Sequence, residues 1–135
     1  MADRKIVYIA GPYRSDTEYG VKLNIERAEA VALKYWKAGY AVFCPHKNSA
    51  FMGGACPDET WLEGGLAILA RCDALVVMPD WKESSGTIRE IEFAEKHRIP
   101  VFLDEFPSCP TLLRFVLSKG IKQYNHCLIY FNGLK

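Results

Sequence analysis

The run DALVVM at residues 73–78 is almost wholly apolar and shows no alternation of polar and apolar side chains. A strand of this kind is expected where helices cover both faces of a parallel sheet. The run KIVYIAG at residues 5–11 has the same character and ends in Gly-Pro, which predicts a buried strand followed by a turn. Three further strands are predicted at residues 40–44, 100–103 and 127–131.

Helical segments separate these strands. From residue 18 to residue 38 apolar side chains recur at helical spacing, and Gly39 is a natural C-terminal stop. Other helices are predicted at residues 58–71 and 86–97 and a short one at 110–118, whereas residues 46–57 and 79–84 are predicted to be loops. The alternation predicts an α/β fold, a three-layer, doubly wound five-stranded parallel sheet in the flavodoxin-like order 2-1-3-4-5.

Length and charge limit the classes of function. The 135 residues suit a single domain over residues 1–135. A net charge of +1 argues against a reader of polymeric nucleic acid or a binder of acidic membranes, because both need a clustered excess of Lys and Arg. The first apolar run is too short for a signal peptide or a membrane span, so we expect a cytoplasmic protein with a small-molecule or protein partner.

The five cysteines are scattered and form no C-x-x-C pair, which favours reduced thiols. Cys44, His46 and Cys56 lie near one another in the sequence, but they lack the paired spacing of metal ligands. We therefore expect no metal at these residues.

In doubly wound sheets, ligands bind beyond the carboxyl ends of the strands, near the point where the strand order reverses. The rule selects the loops at residues 11–17 and 45–54, and the loop after the third strand that leads into residues 86–90. In the first loop Gly11 permits a sharp turn, and Arg14 and Ser15 can offer a guanidinium and a hydroxyl to an anion such as a 5′-phosphate. The alternative is a plain turn with a solvated arginine.

The loop after the third strand opens a helix with Ser84-Ser85-Gly86, and free backbone N–H groups there form a ready anion site. Glu90 lies one turn further on, at the margin of the buried helix face, where its carboxylate can be held beside a sugar ring. The structural alternative is a capping box in which Glu90 bonds only to the backbone of Thr87.

Aromatic and imidazole groups flank the same predicted cleft. His46 can bind substrate or transfer a proton, although a lone histidine in a loop often does neither. Trp61 and Trp81 can stack on a base or simply cover apolar surface.

Several short motifs occur in a familiar order. They are Tyr8-Ile9-Ala10-Gly11-Pro12-Tyr13, Asn24-Ile25-x-x-Ala28, Gly39-Tyr40, Pro45-His46, Cys72-Asp73-Ala74 and Ser85-Gly86-Thr87-x-x-Glu90-Ile91-x-x-Ala94. Over roughly the first hundred residues this order resembles the nucleoside 2-deoxyribosyltransferase superfamily, which includes nucleoside 5′-monophosphate N-glycosidases.

The resemblance implies a role for each matching residue. Glu90 matches the nucleophile that forms a glycosyl-enzyme intermediate, and Tyr8 matches the tyrosine that orients it. The residues that fall where the family's monophosphate hydrolases hold the 5′-phosphate are Gly11, Arg14, Ser15, Ser84 and Gly86. Pro12, His46 and Ser85 are further candidates for substrate binding. The family is usually dimeric or larger, and Asn132 is a loose match to a residue that completes the neighbouring subunit's site.

One position departs from the family pattern. Gly65 stands where these enzymes usually carry an aspartate that handles the proton on the departing base. The acid can instead come from Glu63, Asp80 or His46, or the leaving group needs little protonation. Asp73, which opens the third strand, is a further catalytic candidate with a structural alternative.

The leading hypothesis is a retaining cleavage or transfer of an N-glycosidic bond in a nucleoside or nucleoside 5′-monophosphate, without a cofactor. A non-catalytic nucleotide-binding module explains Gly65 better. A nicotinamide-nucleotide glycohydrolase is a third possibility that uses the same glutamate chemistry.

Overall fold

A computed structural model describes residues 4–104, 111–114 and 122–124 of the chain. In chain order the elements are β1 (Ile6–Ala10), α1 (Glu18–Lys37), β2 (Ala41–Phe43), α2 (Pro45–Asn48), α3 (Asp58–Leu69), β3 (Ala74–Val77), a 3-10 turn (Trp81–Glu83), α4 (Ser85–Lys96), β4 (Val101–Leu103), β5 (Thr111–Arg114) and β6 (Lys122–Tyr124). Within these ranges no helix combines the length and the apolar composition needed to cross a bilayer.

Four parallel strands form the body of the sheet in the order β2-β1-β3-β4. Tyr8 in β1 is in register with Phe43 in β2 and with Leu75 in β3, and Leu75 is in register with Val101 in β4. This order confirms the predicted arrangement of the first four strands. It also places the reversal of strand order between β1 and β3, so the loops that follow these two strands diverge there.

The sheet continues differently from the prediction beyond β4. Thr111–Arg114 forms β5, which pairs antiparallel with β4, and β6 pairs antiparallel with β5. The predicted helix at residues 110–118 is therefore wrong over this strand, and the sheet is mixed rather than wholly parallel. Periodicity cannot separate a short apolar strand from a helix turn, and pairing satisfies the open edge of β4. The strand predicted at residues 127–131 lies outside the described residues.

A smaller difference lies in the loop after β2. Residues 46–57 were predicted as a loop, but Pro45–Asn48 forms the single helical turn α2, with the proline at its first position. A proline is favoured there because its missing N–H would have no partner within the helix. This turn buries His46, which is 4% exposed.

Two apolar layers cover the sheet, and alternation along β1 sends neighbouring side chains into opposite layers. Val7 and Ile9 pack in the layer that contains Ala28 and Tyr35 of α1. Tyr8 packs in the other layer, whose members include Leu69 of α3, Ile91 and Ala94 of α4, and Trp81. Tyr8 therefore lies on the face of the sheet that α3 and α4 cover.

Candidate active site

The loops and helices at the carboxyl edge of the sheet surround a cavity of about 760 Å³. Its wall is formed by the end of β1 and the following loop, by α2, by the first half of α3, and by the start of α4. A cavity of this volume falls in the range that holds small organic ligands. Nine predicted site residues line it, namely Tyr8, Gly11, Pro12, Arg14, His46, Ser84, Ser85, Gly86 and Glu90.

Tyr8 and Glu90 meet at the wall of this cavity. The Tyr8 hydroxyl donates a hydrogen bond of 2.5 Å to Oε2 of Glu90, across 82 positions of sequence. Tyr8 is 1% exposed and is fixed by its packing in the sheet, where its ring lies 5.5 Å from that of Phe43. A rigid strand residue thus holds the carboxylate of a helix residue in one orientation.

Burial controls the proton affinity of this pair. Desolvation raises the pKa of Glu90 from 4.5 to about 7, while the hydrogen bond from Tyr8 opposes the rise. Desolvation and the nearby Glu90 carboxylate raise the pKa of Tyr8 well above its usual range. Tyr8 therefore remains a donor, and Glu90 is ionised in about half of the molecules near pH 7.

The start of α4 excludes the capping alternative for Glu90. Ser84 is the N-cap, because its Oγ accepts a bond of 3.1 Å from the backbone N–H of Thr87. The Thr87 hydroxyl also donates to Ser84 Oγ, at 2.9 Å. Since Ser84 satisfies Thr87 and Glu90 is bonded to Tyr8, the predicted Thr87–Glu90 capping box is wrong.

The loop after β1 is held by packing and by one ion pair. A Cβ atom on Gly11 would lie 2.4 Å from Sδ of Met78, so any larger residue between the ends of β1 and β3 would require the Met78 side chain to shift. The guanidinium of Arg14 lies 2.7 Å from the Asp58 carboxylate, and both side chains are largely exposed. Ser15 does not line the cavity, and its Oγ accepts a weak bond of 3.5 Å from the backbone N–H of Thr17.

His46 lines the cavity from α2 in a defined protonation state. Its Nε2 lies 2.9 Å from the carbonyl oxygen of Pro12, so Nε2 carries the hydrogen and donates it. Nδ1 is buried and has no hydrogen-bond partner within the described part of the chain. Desolvation lowers the pKa of His46, so the ring is neutral at pH 7 and its free nitrogen is an acceptor.

Besides Ser15, two predicted residues are absent from the cavity wall or lie outside the described residues. Asp73 lies at the opposite edge, where its Oδ2 accepts a bond of 2.7 Å from the backbone N–H of Ile6. The residue precedes β3, so it lies at the amino end of the strand and joins β3 to β1. Asn132 lies outside the described residues, and the homo-oligomer expected from the resemblance stays a prediction.

Two of the three alternative proton donors also lie elsewhere. Glu63 is exposed on α3, and Asp80 lies 3.6 Å from the guanidinium of Arg27; neither residue lines the cavity. Trp61 lines the cavity as expected, whereas Trp81 is buried in the core beneath α4.

Gly65 lies directly beside the Tyr8–Glu90 pair. A Cβ atom there would lie 2.8 Å from the Tyr8 hydroxyl and 3.9 Å from Oε2 of Glu90. The position where the resemblance implies an aspartate is thus adjacent to the carboxylate, but it carries no side chain. Any larger residue would have to displace the Tyr8 hydroxyl.

The sequence interpretation missed four charged residues that line the cavity: Asp58, Glu59, Glu83 and Arg89. Arg89 lies next to Glu90 in α4 and makes an ion pair of 3.0 Å with Glu59 in the first turn of α3. The sequence did hold a signal for the residues on α3. This helix follows the loop after β2, so its first turn must lie at the carboxyl edge of the sheet, where ligands bind. Among the described residues, no three His, Cys, Asp or Glu side chains cluster closely enough to hold a metal ion.

Comparisons with known proteins agree with this architecture. The family model described as "Domain of unknown function (DUF7768)" matches residues 5–104. A solved structure of a 2-deoxyribosyltransferase from Bacillus psychrosaccharolyticus is similar, with a TM-score of 0.57 and 18% identity over 73% of this chain and 70% of that one. A conserved protein from Enterococcus faecalis V583 has a TM-score of 0.52 and 19% identity over 74% of this chain and 62% of its own, less than two thirds of its length. No curated protein matches the sequence.

Proposed function

The chain belongs to the family described as Domain of unknown function (DUF7768), and we propose that it breaks the N-glycosidic bond of a nucleoside or nucleoside 5′-monophosphate with Glu90 as the nucleophile. One observation carries the proposal: the Glu90 carboxylate lies at the wall of the 760 Å³ cavity, where the buried Tyr8 hydroxyl holds it at 2.5 Å. A carboxylate that only stabilised the fold would have no need of a ligand-sized hollow beside it.

The chemistry follows from a single carboxylate beside a sugar. Glu90 attacks C1′ as the bond to the base breaks, through an oxocarbenium-like transition state, and a glycosyl-enzyme ester forms. Water then releases the sugar in a hydrolase, or a second base accepts it in a transferase. Two inversions at C1′ leave the anomeric configuration unchanged.

The other residues of the cavity have supporting roles in the proposal. Tyr8 orients the carboxylate so that its remaining lone pairs are available to C1′. The N-terminus of α4, at Ser84, Ser85 and Gly86, presents backbone N–H groups that suit a 5′-phosphate. Arg14 can join them by exchanging Asp58 for the phosphate, since their ion pair is exposed.

The similarity of fold supports the same class of reaction. The similar structure from Bacillus psychrosaccharolyticus is described as a 2-deoxyribosyltransferase that is a suitable biocatalyst for the synthesis of nucleosides. At 18% identity this likeness concerns the fold, so the proposed activity depends on the Tyr8–Glu90 geometry of this chain.

The proposal is tested by incubating the protein with a panel of ribo- and deoxyribonucleosides and their 5′-monophosphates, and by measuring free base chromatographically. We expect base release by the native protein and none by the Glu90→Gln variant. Glu95→Gln, a matched change of an exposed acid on the same helix, should release base at the native rate. Undiminished release by Glu90→Gln removes Glu90 from the nucleophile role.

Gly65 favours a second candidate, a non-catalytic nucleotide-binding module, because no side chain beside Glu90 takes the place of the aspartate that the resemblance implies. The same panel separates the two functions. Calorimetric binding of a nucleotide without base release across the whole panel would support the module and exclude the enzyme.

A further inference from the structure

The charged groups that line the cavity are predominantly negative. Among the described residues that line it, four carry a carboxylate and two carry a guanidinium group, a net formal charge of −2 when all are ionised. The carboxylates belong to Asp58, Glu59, Glu83 and Glu90, and the guanidinium groups to Arg14 and Arg89.

Both guanidinium groups are already neutralised in the free protein. Arg14 pairs with Asp58 at 2.7 Å and Arg89 pairs with Glu59 at 3.0 Å, so the first turn of α3 engages both cations. The excess negative charge therefore comes from Glu83, in the turn before α4, and from Glu90 itself. The field at the cavity favours a positively charged ligand.

Within the part of the chain that the structure describes, neither the Tyr8 hydroxyl, nor position 65, nor the His46 ring offers a free proton to a departing base. The Tyr8 hydroxyl already donates to Glu90, and Gly65 has no side chain. The one N–H of the neutral His46 ring is donated to the Pro12 carbonyl, and its other nitrogen, buried without a partner among the described residues, can only accept. A neutral base leaves an N-glycoside as an anion unless an acid protonates it, and such an acid typically contributes about 10²–10⁴ in rate.

We propose that the substrate is an N-glycoside whose base carries a positive charge, such as an N-alkylated purine nucleoside or a pyridinium nucleoside. This inference rests on the proposed function and names the substrate class of the same cavity. A ring cation leaves as a neutral base, so the reaction needs no general acid. The negative wall suits a ligand that brings positive charge.

The step balances without a further reactant. The electron pair of the C1′–N bond moves onto the ring nitrogen and cancels its charge, while an oxygen of Glu90 forms a bond to C1′. Water then forms the new C1′–O bond, the ester bond to Glu90 breaks, and one proton passes to solvent. In the transition state the positive charge moves from the base toward the sugar ring, and formation of the ester then cancels it against the negative charge of Glu90.

The test compares charged substrates with neutral partners of nearly the same shape. N7-methylguanosine is compared with guanosine, and nicotinamide riboside with its neutral dihydro form, in ribose and 2′-deoxyribose series, by kcat/KM for base release. We expect a preference for the cation of at least about 100-fold in one pair, the share that a general acid would otherwise supply. Glu83→Gln should raise KM for the cation several-fold and leave the neutral partner unaffected, whereas Glu95→Gln should change neither.

The outcomes separate the inference from the function on which it rests. Glu90-dependent release of base from the neutral partners at rates equal to or above those of the cations would overturn the inference and leave the proposed function intact. An absence of release from every compound, by a protein whose Glu90→Gln variant behaves identically, would overturn both.

Discussion

Burial of Glu90 makes the folded protein less stable at neutral pH than at mildly acidic pH. The pKa of this carboxyl group is about 7 in the folded state, against 4.5 as its ordinary value. Between these values the folded state holds a proton that the unfolded chain has released, so the free energy of unfolding falls as pH rises. At 1.36 kcal/mol for each pH unit, the loss is about 3 kcal/mol and is complete slightly above pH 7.

Glu90→Gln removes this titration while keeping the shape of the side chain and an oxygen that can accept from Tyr8. The free energy of unfolding, measured in urea, should fall by about 3 kcal/mol more in the native protein than in the variant when the pH is raised from 4.5 to 8. Glu95→Gln, which alters an exposed acid on the same helix, should have the same free energy of unfolding as the native protein at both pH values. If the native protein and Glu90→Gln change in parallel with pH, Glu90 is not desolvated and the pKa argument fails.

Four further substitutions test the pair and the wall of the cavity. Tyr8→Phe removes a hydrogen bond to the Glu90 carboxylate worth about 1.5–3 kcal/mol, so the pKa of Glu90 should rise by about 1–2. The rise of base release with pH should move to correspondingly higher pH. An unchanged pH profile would contradict this. Gly64→Ala should stabilise α3 by up to about 1 kcal/mol in thermal unfolding because its Cβ meets nothing within 4 Å. Gly65→Ala, whose Cβ would lie 2.8 Å from the Tyr8 hydroxyl, should lose that gain; equal effects of the two changes would show that the contact is unimportant. Asp58→Asn frees the Arg14 guanidinium from an exposed ion pair worth at most about 1 kcal/mol. Calorimetry should therefore show nucleoside 5′-monophosphates binding up to about fivefold more tightly. Weaker binding would remove Arg14 from the phosphate site.

The central sheet could be predicted from the sequence because its strands carry strong, unambiguous signals. The runs at residues 5–11 and 73–78 are apolar on both faces, and the observed strands Ile6–Ala10 and Ala74–Val77 lie within them. Thr111–Arg114 carries no such signal, because four residues fit a helical turn and a strand equally well. Its pairing with the edge of Val101–Leu103 is a tertiary contact that local sequence does not encode.

The candidate site could be predicted as far as topology determines it. The rule that ligands bind at the carboxyl edge selected the loop after β1 and the start of α4, and these do bring Tyr8 and Glu90 to one cavity. The same rule argues against Asp73, which precedes its strand and so lies at the opposite edge. Ion pairs such as Arg14–Asp58 join residues 44 positions apart, and no local pattern in the sequence indicates them.

The central claim is that Glu90 forms a covalent bond to the sugar. It is tested most directly by quenching the protein with acid during turnover of a substrate identified from the panel, and by locating any added sugar mass on its peptides. We predict the mass of the glycosyl group on the peptide that contains Glu90, lost on further incubation and missing from Glu90→Gln. Base release with no sugar on that peptide, or with inversion at C1′, would contradict the account.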